Sequence, residues 1–80
     1  MNTSADVPLT DLPGGAHAAV RALRGGRELA SRLIAMGLAV GTPIEVLQNR
    51  GRGPLLVLVR DTRIALGRGE AAKVMVEAAS

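Results

Sequence analysis

The chain has 80 residues and no cysteine, so it is long enough for one small domain, and that domain has no disulfide to stabilise it. Phenylalanine, tyrosine and tryptophan are also absent, which excludes an aromatic core and leaves smaller aliphatic side chains to fill a narrow interior. Ten basic residues against seven acidic ones give a net charge of +3. Most of the basic residues are arginines scattered along the chain, which is typical of a solvated surface, although arginine also suits acidic partners.

The N-terminal segment, residues 1–8, predicts a disordered lead. It has neither the basic start nor the apolar run of a signal peptide. The longest apolar run of the chain, Leu55–Val59, is far too short to span a bilayer. We therefore expect a cytoplasmic protein without a membrane-inserted segment, folded as a single domain over residues 9–78.

A strand and a helix are predicted next. In Ala16–Arg24 the apolar residues alternate and then slip by one position, which indicates a strand that ends in a bulge or bend. Arg27–Met36 carries apolar residues at helical spacing, which predicts one amphipathic helix. Gly25 and Gly26 separate the two elements.

Glycines also mark the end of the predicted helix. Gly37 occupies the C′ position, where a left-handed residue is favoured, and Leu38 follows at C″, where a Schellman motif places an apolar side chain. Gly41 precedes Pro43, a residue that can only begin a strand or lie on its edge. The predicted hinges around the helix are Gly25, Gly26, Gly37 and Gly41.

Strand signals follow in quick succession to the end of the chain. The predicted strands are Ile44–Gln48, Leu55–Arg60, Arg63–Leu66 and Lys73–Glu77. So many short apolar strands favour a closed sheet, because an open one would leave long edges free to aggregate. We therefore predict a mainly β fold: a small SH3-like β-barrel of about five strands, with an α-helix inserted after the first strand.

The order of glycines and aliphatic residues carries a family resemblance from Leu9 onward. The pattern reads "L-x-x-L-x-x-G" from Leu9, "GG-x-x-x-x-x-RL-x-x-x-GL-x-x-G-x-x-I-x-V" from Gly25, "G-P…V-x-V" from Gly53, and "I-A-L…A-x-x-V-x-V" from Ile64. No single segment is specific, but their ordered combination resembles the FeoA family of bacterial ferrous iron uptake.

Two departures from that family pattern concern one edge of the fold. An arginine commonly follows the "IAL" segment, whereas here Gly67 intervenes before Arg68. The turn before that strand often carries glycine, whereas this chain has Asp61-Thr62. The sequence therefore does not determine the local conformation of this edge.

The resemblance implies a binding domain and not an enzyme. It implies a cytosolic accessory or regulatory protein that binds the intracellular GTPase domain of FeoB, the membrane permease for ferrous iron. A similar domain is fused to iron-dependent repressors; because these 80 residues show no DNA-binding half, we expect the free-standing role. No cofactor is required for such a role, and a weak homodimer is compatible with it.

Catalytic and metal-binding chemistry has little support in the residues. No Ser-His-Asp set or carboxylate pair stands out, and the two Gly-Arg-Gly segments lack the Lys-Ser/Thr ending of a P-loop, so we interpret them as turns. His17 is the only histidine, and a closed metal site needs about three or four ligands. We interpret His17 as a surface residue. The weaker alternative is an adventitious divalent ion that His17 and a nearby carboxylate hold between two copies.

Exposed arginines are the candidates for contact with a partner. Arg50 and Arg52 lie on the glycine-rich turn "NRGRGP", and Arg27 and Arg32 lie on the helix. Leu47 is expected to point away from the core residues of its strand. Arg50 and Arg52 would meet an acidic or phosphate-rich surface of the GTPase domain; the alternative is that they are ordinary solvated arginines. The helix arginines are a second candidate contact, and Leu47 would help to dock a partner or another copy.

Two other functions stay open. The first is a basic nucleic-acid-binding barrel, although the absence of aromatic residues argues against base stacking, as it does against polyproline recognition. The second is a metal-sensing accessory protein, which would hold a ferrous or zinc ion at a simple ratio.

Overall fold

The structure, a computed structural model, describes residues 6–79. In these residues, six strands form one antiparallel sheet in the order β1-β6-β2-β3-β4-β5. The strands are β1 (Val7–Pro8), β2 (His17–Leu23), β3 (Pro43–Gln48), β4 (Leu55–Val59), β5 (Thr62–Leu66) and β6 (Val74–Ala78). Two helices, α1 (Arg27–Ala35) and α2 (Arg68–Ala71), and a 3₁₀ turn at Leu9–Asp11 complete the fold.

The core is built from one face of the sheet. Along β4, for example, Leu55, Val57 and Val59 are buried and the residues between them are only half-buried. Strands β2 to β6 all contribute to a single cluster of buried aliphatic side chains, so the sheet must curve around that cluster as a barrel does. The predicted mainly β barrel with an inserted helix is confirmed.

The N-terminal part of the fold differs from the prediction. Val7 and Pro8 form a short strand that pairs with Val76 and Met75 of β6, and Leu9 is fully buried. The prediction of disorder is therefore wrong for Val7 and Pro8; residues 1–5 of the expected lead lie outside the described residues. The sheet accordingly has six strands, and the helix follows the second. A two-residue strand that contains proline has no alternation, so its sequence cannot reveal it.

The helix ends as predicted, in a Schellman motif. The Gly37 N–H donates to the Ile34 carbonyl and the Leu38 N–H donates to the Leu33 carbonyl, both at 2.9 Å. Leu33 and Leu38 are both fully buried. Gly37 has a φ of 103°, and a Cβ there would lie 3.2 Å from Val59 Cγ1. A larger residue would therefore meet both backbone strain and the core.

A bulge precedes the helix, and backbone hydrogen bonds rejoin the chain to the sheet after it. The register of β2 against β6 shifts between Val20 and Ala22, which confirms the predicted bulge. After the helix, the Gly41 N–H donates to the Val20 carbonyl at 2.7 Å, and the Val20 N–H donates to the Thr42 carbonyl at 3.0 Å. Gly25, like Gly41, has a positive φ. Movement of the helix about these glycines stays a prediction.

Candidate protein-docking surface

Asn49 anchors the turn between β3 and β4, residues 49–54, to the rest of the barrel. Its Nδ2 donates hydrogen bonds to the carbonyl oxygens of Thr10 at 3.0 Å and Leu12 at 2.8 Å. Its Oδ1 accepts a hydrogen bond from the Gly51 N–H at 3.0 Å, as in an Asx turn. One side chain therefore ties the turn both to itself and to the N-terminal segment.

Arg68, the first residue of α2, holds the same turn from another side. Its Nη2 donates to Asn49 Oδ1 at 2.6 Å, and its Nε donates to the Gly53 carbonyl at 3.3 Å. Arg68 is half-buried. Within residues 6–79 its guanidinium forms no ion pair, so its charge is held by neutral acceptors and adds to the positive potential around the turn.

Arg50 and Arg52 project from this anchored turn. Both side chains are exposed, and neither forms an ion pair with a carboxylate of the described chain. Together with Gln48, Gly53 and Pro54 they line a shallow surface groove. The turn therefore bears or contacts three arginines, Arg50, Arg52 and Arg68, and none of them forms an ion pair in the part of the chain that the structure describes.

Leu47 lies at an irregularity of β3. The register of β3 against β4 shifts between Val46 and Gln48, which makes Leu47 the extra residue of a bulge. It is half-buried, whereas Ile44 and Val46 are buried in the core. The outward direction predicted for Leu47 and its contact with a partner stay predictions.

The two helix arginines differ in their surroundings. Arg27 is exposed at the start of α1. Arg32 Nη2 lies 3.4 Å from Glu70 Oε2 of α2, and Glu70 Oε1 also accepts a hydrogen bond from the Gly67 N–H at 3.3 Å. Because α2 contacts Arg32 through Glu70 and the 49–54 turn through Arg68, it links two of the predicted regions.

His17 begins β2 on the exposed side of the sheet. It lies opposite Glu45 of β3, and its carbonyl accepts a hydrogen bond from the Ala79 N–H at 2.8 Å. A shallow groove beside it is also lined by Glu77. Residues 6–79 contain no group of three or more His, Cys, Asp or Glu side chains placed to hold a metal ion, so this region gives a closed metal site no support.

Asn49 and Arg68 are the residues of this surface that the sequence did not reveal. An asparagine before a glycine-rich turn does indicate an Asx turn. The two carbonyl partners of Asn49 lie 37 and 39 residues earlier in the chain and Arg68 lies 19 residues later, and no local pattern relates positions so far apart.

In the described part of the chain, no helix is long and apolar enough to cross a bilayer.

Fold and surface together define a small SH3-like barrel domain with a basic, anchored turn. Comparison with known proteins agrees: the family model described as the FeoA domain matches residues 7–78. A protein named as an Fe(2+) transport protein A of Methanocaldococcus jannaschii is 35% identical over 70 residues, which are 88% of this chain and 84% of that protein. The chain belongs to the FeoA family, which is associated with Fe(2+) transport, and the resemblance seen in the sequence is confirmed.

Solved structures show the same fold. The crystal structure of an iron uptake regulatory protein, FeoA, matches with a TM-score of 0.86 at 35% identity, over 94% of this chain and 99% of that one. The crystal structure of IdeR from T. acidophilum matches with a TM-score of 0.84 at 22% identity, over 99% of this chain but only 37% of that one. The second likeness concerns the fold alone, since it covers one part of a longer protein.

Proposed function

We propose that this chain is a cytosolic, non-catalytic regulator of ferrous iron uptake that binds the G-protein domain of the FeoB permease through the 49–54 turn. It carries no iron itself and requires no cofactor. Membership of the FeoA family supports the link to ferrous iron, and the unneutralised turn supports the mode of binding.

The observation that carries the proposal is that Arg50 and Arg52 are exposed and unpaired within residues 6–79 while the turn that bears them is anchored. An anchored loop loses less conformational entropy on binding than a free one. Guanidinium groups form strong, forked hydrogen bonds with carboxylates. The turn is therefore suited to an acidic patch on a protein surface.

The test is a calorimetric titration of the permease's G-protein domain with the double variant Arg50→Glu/Arg52→Glu. We expect affinity to fall by about tenfold or more, because the reversed charges repel an acidic patch. The matched control is Arg24→Glu/Lys73→Glu, which changes the net charge by the same amount at two other exposed residues that form no ion pair within residues 6–79. Equal affinity of the turn variant and the wild type would show that the turn is not part of the interface.

The same proteins separate binding from catalytic stimulation. GTP hydrolysis by the G-protein domain is measured with and without this chain at saturating concentration. A supplied arginine finger raises hydrolysis by ~10³-fold or more, whereas a docking role leaves the rate nearly unchanged. We expect the second result, because Arg50 and Arg52 are singled out by exposure and charge and by no catalytic geometry.

A further inference from the structure

Strand β5 is an exposed edge of the sheet. Within residues 6–79 it is the last strand of the sheet order, with β4 as its only neighbour, and it pairs with β4 over all five of its residues. Three of these residues, Thr62, Arg63 and Ala65, are exposed. The opposite end of the sheet is a strand of two residues, so β5 is the longer of the two edges.

The outer backbone groups of β5 have no partner in the described chain. In an antiparallel strand, the N–H and C=O groups of alternate residues face opposite sides. Because a two-residue turn precedes Thr62, the backbone N–H and C=O of Thr62 face β4. The direction alternates along the strand, so the N–H and C=O groups of Arg63 and Ala65 face outward. Within residues 6–79, no backbone or side-chain hydrogen bond reaches β5 from outside its ladder with β4.

We infer that the β5 edge binds an extended, acidic segment of the partner as an additional strand of the sheet. The inference rests on the proposed function, because the partner is the same FeoB permease. Main-chain hydrogen bonds supply the affinity in this mode of recognition, and side chains beside them supply the specificity. Arg63 is exposed and unpaired within residues 6–79, so a carboxylate opposite it on the incoming strand is favoured.

A second copy of this chain fits the same edge poorly. Two β5 strands related by a two-fold axis centred on Arg63 or Ile64 would bring the two Arg63 side chains opposite or diagonal to each other. Like charges at such positions destabilise strand pairing, and Arg60, exposed in the preceding turn, adds to the repulsion. Charged edges of this kind are how soluble sheets avoid pairing with themselves. The charge that disfavours a second copy in these registers favours an acidic strand.

Residue-resolved hydrogen–deuterium exchange tests the inference on the full chain, alone and with FeoB in lipid nanodiscs. We expect the Arg63 and Ala65 amides to exchange rapidly in the free protein and at least about tenfold more slowly in the complex, because they become hydrogen-bonded. If the complex forms and these amides stay unprotected, the edge is not the binding strand and the proposed function survives. If no complex forms, the proposed function fails, and this inference fails with it.

A pair of variants at Ala65 isolates one backbone donor. Ala65→Pro removes the outward N–H, a change that an edge strand tolerates, whereas Ala65→Val keeps the N–H. We expect affinity for FeoB to fall by about tenfold in the proline variant and by less than about twofold in the valine variant. Thermal melting checks that both variants fold. Equal affinities of two folded variants would overturn the inference, and the exchange measurement on the wild type decides the question if the proline variant does not fold.

Discussion

A single residue, Arg60, holds a backbone conformation that suits glycine. Its φ is 58°, and no other non-glycine residue of the described chain has a positive φ. Arg60 and Asp61 form the two-residue turn between β4 and β5. A positive φ at only the first position is typical of a type II′ turn, where glycine is preferred. This preference is a physical reason for the glycine that the turn often carries in the FeoA family.

We therefore expect Arg60→Gly to stabilise the protein. Relief of the left-handed strain outweighs the larger entropy of glycine in the unfolded chain, for a net gain of about 0.5–1 kcal/mol in the free energy of unfolding. For a domain of this size such a gain raises Tm by roughly 2–8 °C. The control is Arg50→Gly, an exposed turn arginine without a positive φ, which we expect to lower Tm. A lower Tm for Arg60→Gly in a thermal melt would contradict this account.

Among the elements, the 49–54 turn depends most on one side chain. Asn49 is the donor to two carbonyls of the N-terminal segment and the acceptor for Gly51 and Arg68. Asn49→Ala removes all four hydrogen bonds, and we expect it to lower the free energy of unfolding by about 1–3 kcal/mol. We also expect Asn49→Ala to free the turn and so to weaken the proposed binding to FeoB, although no arginine of the turn is changed.

Asn49→Asp is the matched control, because it keeps the acceptor and loses the two donors. Amide exchange at Gly51 distinguishes the role of the Asn49 Oδ1 acceptor from that of the Nδ2 donor. We expect this amide to exchange rapidly in the alanine variant and to stay protected in the aspartate variant, where Arg68 gains a charged partner. Equal protection in both variants would show that Asn49 does not order the turn.

Elements held by residues close together in the chain could be predicted from the sequence, whereas elements held by distant residues could not. The Schellman ending at Gly37 and the bulge of β2 were predictable, because each depends on residues that are neighbours in the chain. The two-residue strand Val7–Pro8 was not, since it exists only through its pairing with β6. The Asn49 anchor was not, because its carbonyl partners lie on a segment more than thirty residues earlier. Arginine exposure was predictable, but which arginines have ion-pair partners was not.

For the whole molecule, the proposed complex with FeoB would depend on charge at one place and on backbone hydrogen bonds at another. The charge is a net +3 without large blocks of one sign in the sequence, yet folding gathers Arg50, Arg52 and Arg68 around one turn. The β5 edge offers backbone groups, whose hydrogen bonds depend little on ionic strength. A basic turn that guides the encounter and an edge strand that holds the complex would therefore respond differently to salt.

We accordingly expect salt to act mainly on the rate of association with FeoB. Between about 50 and 500 mM salt, the association rate constant falls by roughly tenfold, because screening shortens the reach of the exposed arginines. The dissociation rate constant changes much less. Surface plasmon resonance with immobilised FeoB nanodiscs measures both constants, and Arg50→Glu/Arg52→Glu is the comparison, in which the salt dependence of association flattens or reverses. An association rate that is independent of salt in the wild type would mean that the charge of the turn does not guide the encounter, and the role of the arginines would then be confined to contacts within the bound complex.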